Sequence, residues 1–503
     1  MTDNLSLVSA YPEIVLLVAS SVIALVGVAS KTPARGLVHF LTLISLAGVA
    51  LMLALRASGG ETIVGFGGMV VSDPMGNWLK CFASIAMLVT IVYGRAYAGQ
   101  RDMMRGSELY TLALYVLLGM FVMISGHNFL VIYLGLELLT LSSYALVALR
   151  RDDVNAIEAA MKYFVLGALA SGFLLYGMSM IYGATGSLDL TGVMQAIAGG
   201  DATLVGSPQV LVLGLVFVVA GLAFKLGAVP FHMWVPDVYH GAPTVVTLMI
   251  GGAPKLAAFA IVIRLLVEGL GPLAVDWQQM LAVLSVASLL VGNLAAIAQT
   301  NLKRMLAFST ISQMGFLLLG LLAGVVAGSD GLDNSNMANA YSSSMFYVIT
   351  YVLTTLGTFG VILLLSRDGF ESENIGDLAG LNQRSPLYAA VMAICMFSLA
   401  GVPPMVGFYA KLSVLQALLA SSQPVYIGLA VFAVLMSLVG AFYYLRLVKV
   451  MYFDQPVQTA PLEATFDVRS VLSLNGALVL LLGILPGGLM ALCAQAVTAL
   501  LAG

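Results

Sequence analysis

Charged side chains are scarce along this chain, whose 503 residues are 60% hydrophobic and only 9% Asp, Glu, Lys or Arg. Soluble domains carry about 25% charged residues, so this deficit excludes a water-soluble fold. Apolar runs of about 20 residues, enough for a helix to cross a hydrocarbon core about 30 Å thick, recur from end to end. The short alternating strands of a membrane β-barrel are missing. The composition predicts an all-α polytopic membrane protein.

Residues that bind metals or nucleotides are also few. The three cysteines, Cys81, Cys395 and Cys493, form no CxxC pair, which argues against zinc and against an iron–sulfur cluster. There are four histidines, and neither a GxxxxGK[ST] nor a strand-associated GxGxxG motif occurs. We therefore expect no cofactor, metal or nucleic acid on this chain. Energy for any transport would come from an ion gradient or from a partner.

The apolar runs predict about fourteen transmembrane helices. They are 11–30, 36–56, 76–98, 108–125, 127–149, 156–182, 209–240, 244–268, 277–299, 302–326, 342–366, 386–421, 424–453 and 470–498.

The distribution of charge predicts the orientation of these helices. Connections after odd-numbered helices hold most of the basic residues: Lys31, Arg35, Arg95, Arg101, Arg105, Arg150, Arg151, Lys303, Arg304, Arg367, Arg384, Arg446, Lys449 and Arg469. Connections after even-numbered helices hold acids instead: Asp73, Asp189, Asp201, Asp276, Asp330 and Asp333. By the positive-inside rule the odd connections are cytoplasmic, so both termini are expected on the periplasmic side.

Proline and glycine interrupt two of the long apolar runs. "FKLGAVPF" (224–231) and "FSLAGVPP" (397–404) align without a gap, each near the middle of its run. Proline removes a backbone donor and opens a helix, and in lipid the freed carbonyls must face protein or water. Two such breaks in matching places indicate an ion pathway, although an ordinary proline kink remains the alternative reading of each.

The breaks fall in helices 7 and 12, which predicts two inverted five-helix repeats with one broken helix each. The expected domains are 1–107 with helices 1–3, 108–268 with the first repeat, 275–455 with the second repeat, and 456–503 with helix 14.

Several ionisable residues fall inside the predicted helices: Glu137, Lys162, Lys225, Lys255 and Lys411. A charge at the bilayer centre costs about 2.5–3.5 kcal/mol on insertion scales, so such residues are functional by default. Burial disfavours the charged form of an amine, which lets a lysine exchange its proton. We expect the four lysines to form a row at mid-membrane. His232 is a candidate relay beside Lys225, or simply a buried histidine.

Glu137 and Lys162 lie on consecutive helices, 5 and 6, at depths that differ by roughly 7 Å at 1.5 Å per residue. A lysine side chain can bridge that difference. The spacing therefore predicts a Glu137–Lys162 pair, which would be either a switch or a static ion pair.

Four motifs give the chain a family resemblance. "GLELLTLSSYALVAL", "FKLGAVPFHMWVPDVYHGAP", "NLKRMLAFSTISQMG" and "GVPPMVGFYAK" resemble the antiporter-like, proton-translocating subunits of respiratory complex I. The resemblance covers roughly 108–455, and it implies that Glu137, Lys162, Lys225, Lys255 and Lys411 form the proton path. In its length and in having Lys411, the chain resembles the family member that lies nearest the quinone-reducing arm.

The resemblance also implies where the energy comes from. At one position, described below, the chain departs from the family. NADH, FMN, iron–sulfur clusters and quinone would lie in other subunits of the complex, which with the bilayer of the bacterial inner membrane would be the partners. The family often has a histidine where this chain has Gln313, so proton transfer there would need water or a hydroxyl such as that of Ser309, Thr310 or Ser312. A stand-alone cation/proton antiporter and an inert membrane scaffold are the alternative functions.

Overall fold

The structure is helical almost throughout, as the apolar runs predict. The computed structural model describes residues 2–29, 35–104, 106–200, 205–328, 331–333, 335–367, 369–456 and 462–502. Of the charges used to orient the chain, Lys31, Arg105, Asp201 and Asp330 lie outside these residues.

The N-terminal part consists of helices α1 (Thr2–Ser9), α2 (Tyr11–Ala29), α3 (Arg35–Ser58) and α4 (Pro74–Gln100), with an antiparallel hairpin of β1 (Ile63–Gly65) and β2 (Val70–Ser72) between α3 and α4. The first predicted repeat holds α5 (Glu108–Ser125), α6 (Phe129–Val147), α7 (Val154–Thr185), α8 (Leu190–Ala198), α9 (Pro208–Leu226), α10 (Trp234–Gly241), α11 (Thr244–Gly251) and α12 (Pro254–Val262), which a π-helical segment (Ile263–Gly269) extends.

The second predicted repeat holds α13 (Ala274–Ala298), α14 (Leu302–Leu322), α15 (Met337–Leu365), α16 (Leu381–Arg384), α17 (Pro386–Ala400), α18 (Val406–Ala420) and α19 (Pro424–Phe453). A second antiparallel pair, β3 (Val326–Gly328) and β4 (Gly331–Asp333), lies between α14 and α15. The chain ends with α20 (Phe466–Ile484) and α21 (Gly487–Ala502).

Among the described residues, 13 helical segments are long and apolar enough to span a membrane. The predicted spans 209–240 and 386–421 are each divided, into α9 and α10 and into α17 and α18. Two further predicted spans are not continuous helices. Span 244–268 is interrupted at Gly252 (φ −99°, ψ −101°), and span 470–498 stops before Pro486, which has no N–H to continue the helix.

Polar caps fix where the helices begin. Asp73 accepts a hydrogen bond from the Gly76 N–H at the start of α4 (2.7 Å), and Asn301 accepts one from the Arg304 N–H at the start of α14 (3.0 Å). Each cap satisfies an N–H that the helix itself leaves unpaired.

Helices α12, α14 and α15 form the interior, whereas α2, α3 and α19 carry many exposed apolar side chains, such as Val28 and Leu438. An exposed apolar surface of this kind suits lipid or a neighbouring membrane subunit. Buried polar side chains are accordingly frequent on the interior helices α14 and α15, such as Thr310, Gln313, Thr350 and Thr354.

Glycines bring the first two helices of each repeat into backbone contact. A Cβ added at Gly135 on α6 would lie 2.5 Å from the Met123 nitrogen of α5. A Cβ at Gly292 on α13 would lie 2.7 Å from the Ser312 nitrogen of α14. Small residues permit such close approach in membranes. The same device in α5–α6 and α13–α14 supports the two-repeat architecture.

We expect Gly135→Ala to destabilise the protein by about 1–3 kcal/mol, because the added methyl group overpacks a backbone contact. The matched control is Gly172→Ala on α7, where a Cβ meets nothing within 4 Å. Thermal unfolding of the two variants in detergent measures the difference. Equal melting temperatures would contradict the close packing of α5 on α6.

Candidate functional site: buried lysines at two helix breaks

The first break is a glycine-terminated helix end inside the protein. Helix α9 stops at Leu226, and Gly227 takes the left-handed conformation (φ 79°, ψ 32°). The N–H groups of Gly227 and Ala228 bond back to the carbonyls of Phe224 (3.0 Å) and Ala223 (2.8 Å). This is a Schellman motif, which leaves the last two carbonyls of the helix, those of Lys225 and Leu226, without a backbone partner of their own.

Lys255 supplies the missing donors. Its Nζ donates to the Leu226 carbonyl (2.9 Å) and to the Lys225 carbonyl (3.3 Å), and it lies 5.6 Å from the centre of the Trp234 ring. The side chain is 1% exposed. A cation at a helix C-terminus also gains from the helix dipole, by up to about 2 kcal/mol in partly buried geometries. Lys255 therefore lies where the break concentrates negative potential.

The second break repeats this arrangement. Helix α17 stops at Ala400, Gly401 is left-handed (φ 85°, ψ 40°), and the N–H of Val402 bonds to the Phe397 carbonyl (2.9 Å). Lys411 Nζ donates to the carbonyls of Leu399 (2.9 Å) and Ala400 (3.2 Å) and to Ser437 Oγ (2.9 Å). It also lies 4.9 Å from the centre of the Phe316 ring. Both breaks thus end in a lysine-capped pair of carbonyls.

The structure corrects the gapless alignment of the two breaks by one residue. Gly227 corresponds to Gly401, and the cis bond Val229–Pro230 corresponds to Pro403–Pro404. Lys225 therefore corresponds to Leu399, not to Ser398. The alignment was wrong because it matched Val229 with Val402, whereas the left-handed glycine fixes the true register. The two capping lysines also come from different places, since Lys255 is on α12 and Lys411 is on α18.

Lys225 and Glu137 form a separate, unsatisfied pair of groups. Neither Lys225 Nζ nor Glu137 Oε1 has a hydrogen-bond partner among the described residues, although both atoms are buried. The two side chains lie within electrostatic range of each other. A cavity of about 20 Å³ borders Lys225, Tyr163 and Trp234, which is room for one water molecule. A comparable cavity of about 20 Å³ borders Lys411.

The predicted Glu137–Lys162 pair is wrong for this structure. Lys162 Nζ bonds instead to Asp237 Oδ2 (2.9 Å) and Glu158 Oε1 (2.8 Å), with 44% of its side chain exposed. The depth estimate ignored the rotation of the helix. The inward face of α7 presents Tyr163, whose ring stacks on Trp234 at 4.8 Å, so its neighbour Lys162 points outward.

The three secondary candidates occupy different surroundings. His232 lies between the halves of the first break, and its buried Nδ1 has no hydrogen-bond partner in the described part of the chain. Gln313 is fully engaged: its Nε2 donates to the Leu399 carbonyl (3.1 Å) and to the Tyr444 hydroxyl (2.9 Å), while its Oε1 accepts from Tyr347. Ser312 packs against Gly292 of α13 rather than toward Lys411.

Sequence reasoning missed two buried ion pairs, which lie near helix ends and away from the two breaks. Lys80 Nζ bonds to Glu13 Oε1 (2.6 Å) and to Ser125, with side chains 1% and 9% exposed for the ion pair. Arg264 Nη2 bonds to Asp73 Oδ2 at 2.6 Å, with side chains 1% and 2% exposed. Glu13 is 67 positions from Lys80, so no local pattern could pair them.

Lys303 is another buried cation, and it lies at the opposite end of the helix bundle from these two ion pairs. Its Nζ is 3.5 Å from Glu373 Oε1, and Glu373 also lies 3.8 Å from the His240 Nε2. Glu373 is in the connection after α15, outside the membrane-spanning helices, and its interaction with His240 is the largest factor that lowers its pKa.

The cysteines and acids form no recognisable metal site within the described residues. Cys81, Cys395 and Cys493 are buried and free. No group of three or more His, Cys, Asp or Glu residues in the described ranges is placed to hold a metal ion.

The sequence and the fold match a known class of membrane subunit. Residues 126–437 match the family described as "NADH:quinone oxidoreductase/Mrp antiporter, TM". In structure, the chain is similar to one of respiratory complex I from Thermus thermophilus with bound aureothin (TM-score 0.79, 32% identity, covering 96% of this chain and 100% of the other). It also shares its fold with a chain of the Mrp complex from Dietzia sp. (TM-score 0.82, 22% identity, covering 99% and 97%). The chain is therefore of the antiporter-like class.

Comparison with individual sequences narrows this class. The chain is 67% identical over 502 residues to NADH-quinone oxidoreductase subunit N of Polaromonas naphthalenivorans, covering 99% of each. It is 61% identical to subunit N of Herminiimonas arsenicoxydans, covering 99% of this chain and 100% of that one. The chain belongs to the subunit N family, the proton-translocating membrane subunits of NADH-quinone oxidoreductase. This confirms the resemblance inferred from the motifs.

We expect Gly401→Ala to disturb the second break. The left-handed conformation costs an L-residue about 1–2 kcal/mol, and the new Cβ would lie 3.0 Å from Lys411 Cδ, which pushes the lysine off its carbonyls. The control is Gly428→Ala on α19, where a Cβ meets nothing within 4 Å. Thermal unfolding in detergent should show a lower melting temperature for Gly401→Ala only. If both variants melt like the parent protein, the strained cap is not essential.

Proposed function

We propose that protons cross this chain through Glu137, Lys225, Lys255 and Lys411. The observation that carries the proposal is the repeated geometry of the breaks, in which a buried ammonium caps two helix carbonyls. In the second break, Lys411 also borders a water-sized cavity. An ammonium in this position is stabilised by the carbonyls, yet it pays for burial. Small changes in its surroundings therefore decide whether it keeps its proton.

The first station is the pair of Lys225 and Glu137. None of the described residues hydrogen-bonds to Lys225 Nζ, so the carboxylate of Glu137 is the main favourable influence on its ammonium. Lys255 lies immediately behind, with its Nζ 3.3 Å from the Lys225 carbonyl. The two ammonium groups are within electrostatic range of each other, so they repel. Protonation of Lys225 therefore favours release of a proton from Lys255 toward the second break.

Lys162 influences the proposed path through its contact with α10, not through Glu137. Its partner Asp237 is on α10 and also bonds to Arg304 of α14 at 2.7 Å. This chain of ion pairs ties α7, the second half of the first break, and α14 together. A change in the charge of Lys162 would alter the position of α10 and thereby the environment of Lys225.

The energy for transfer comes from partner subunits. We propose that NADH, FMN, iron–sulfur clusters and quinone are bound there, and that quinone reduction displaces charge toward Glu137. The chain itself then works as a proton-translocating part of the oxidoreductase, in contact with other membrane and peripheral subunits.

We place the chain in the bacterial inner membrane with both termini on the periplasmic side. The reason is the distribution of basic residues, which concentrate in the connections after odd-numbered spans. The ion pairs that involve Lys303, Arg304 and Arg101 would then be cytoplasmic, and those of Asp73 and Glu13 would lie near the periplasm.

Reporter fusions test this orientation. Alkaline phosphatase, which folds only in the periplasm, should be active when fused after Ala502 and inactive when fused after Arg151. A fluorescent protein, which matures in the cytoplasm, should give the reverse result. Matching activity of the phosphatase at both positions would refute the proposed topology.

Substitution of Lys411 tests the path itself. Lys411→Met removes the exchangeable proton, and Lys411→Arg keeps the charge but cannot release it. We expect both to lower NADH-driven proton pumping of the assembled oxidoreductase by about ten-fold or more, since a positioned proton-transfer group contributes about 10²–10⁴-fold. Lys449→Met, at a side chain 63% exposed, is the control. Full pumping by Lys411→Arg would show that no proton exchanges at this position.

A further inference from the structure

We infer that the proton passes between the two breaks through three hydroxyl groups, those of Tyr239, Thr310 and Tyr351. The inference rests on the proposed function, because it names the connection between Lys255 and Lys411. These residues come from three elements, α10, α14 and α15, that meet in the interior between the two lysines.

Tyr239 carries a hydroxyl near the first break that has unused bonding capacity. It is fully buried, and its hydroxyl has no hydrogen-bond partner of proper geometry among the described residues. On one side it borders Gly251, four residues before Lys255, where an added Cβ would lie 2.8 Å from the hydroxyl oxygen. On the other side α10 packs against α14, which itself packs against α15, and the Tyr239 hydroxyl is within electrostatic range of Thr310 and Tyr351. A buried phenol without a partner is costly unless it has a use.

The next two hydroxyls are already joined to each other. Tyr351 donates to Thr310 Oγ1 at 2.8 Å, and both residues are buried. Tyr351 and Lys411 line the same cavity of about 20 Å³ beside the second break, which is room for one water molecule. The hydroxyl chain therefore reaches the vicinity of Lys411.

The other end of the hydroxyl chain is the step from Lys255 to Tyr239. Lys255 lies against the Trp234 ring, whose centre is 6.5 Å from that of Tyr239. We assign one water to the step between the Lys255 ammonium and the Tyr239 hydroxyl.

Other buried hydroxyls near the second break end at amides, which do not relay protons readily. Tyr347 donates to Gln313, Tyr444 accepts from the same side chain, and Tyr443 donates to Asn293. Gln313 uses both ends of its amide in these bonds and therefore holds the surrounding groups in place. Tyr351 and Thr310, in contrast, are joined directly to each other, with no side-chain amide between them.

Proton transfer along this chain conserves atoms at each step. The Lys255 ammonium loses one proton to the bridging water, and each hydroxyl oxygen accepts a proton and releases its own hydrogen to the next oxygen. The neutral Lys411 amine accepts the last proton and becomes an ammonium. In the structure Tyr351 donates to Thr310, and Thr310 Oγ1 donates to the Leu306 carbonyl at 2.9 Å. Both hydroxyls therefore rotate toward Lys411 before the transfer, and their return resets the chain.

The test uses the intact oxidoreductase with Tyr239→Phe, Thr310→Val or Tyr351→Phe, each of which removes one hydroxyl and preserves the shape of the side chain. Tyr443→Phe is the matched control, since it removes a buried hydroxyl bonded to Asn293 (3.0 Å) outside the chain. NADH oxidation by an artificial acceptor that bypasses quinone normalises for assembly. Initial rates of NADH-driven proton pumping are then compared in H₂O and D₂O.

We expect each of the three substitutions to lower pumping by roughly three- to ten-fold, less than the about 10²–10⁴-fold of an acid–base group because water partly replaces a hydroxyl. The solvent isotope effect should increase, since proton transfer becomes rate-limiting, and Tyr443→Phe should match the parent. Unchanged pumping in the three variants would overturn the relay, and so would a loss of pumping without a change in isotope effect, which indicates a structural role.

Lys255→Met, measured in the same preparations, separates this inference from the proposed function. If Lys255→Met abolishes pumping while the hydroxyl variants pump normally, the lysine path stands and the relay is rejected. If Lys255→Met also pumps normally, the lysine path is rejected together with the relay.

Discussion

Two helix ends buried inside the protein, each capped by a lysine ammonium, are the constraint on which the rest of this structure depends. A helix that stops within a membrane leaves carbonyls that neither lipid nor the helix can satisfy. Here the carbonyl pairs of Lys225 and Leu226, and of Leu399 and Ala400, receive hydrogen bonds from Lys255 and Lys411. The break therefore makes the lysine necessary, and the lysine makes the break tolerable.

This mutual dependence links proton movement to local structure. A lysine that releases its proton loses both its positive charge and one of its donors, so the two carbonyls it caps become less well satisfied. They must then draw in water or shift, and the cavity beside Lys411 offers room for one water. A change of protonation at one break is thereby felt by the helix that ends there, which is how a charge displaced in a partner subunit could propagate along the chain.

The sequence predicts the class, the two broken helices and the ionisable residues, because these depend on local signals: long apolar runs, proline beside glycine, and charges in apolar surroundings. It could not predict the register of the breaks, since Val229 and Val402 align by letter while the left-handed Gly227 and Gly401 differ from that alignment by one position. It also placed Lys162 against Glu137 from depth alone. Rotation of α7, which turns Tyr163 inward and Lys162 outward, depends on packing against Trp234 and has no local signature.

The buried charges divide into two groups by how well they are satisfied. Lys80 with Glu13 and Arg264 with Asp73 are joined at 2.6 Å, and breaking such a pair would leave a costly uncompensated charge. Lys225 and Glu137, near mid-membrane, each retain a buried atom with no hydrogen-bond partner in the described structure. Paired charges near the helix ends hold the scaffold in one arrangement. Incompletely paired charges can change protonation without dismantling that arrangement, so the rigid ion pairs lie apart from the residues that we propose as the proton path.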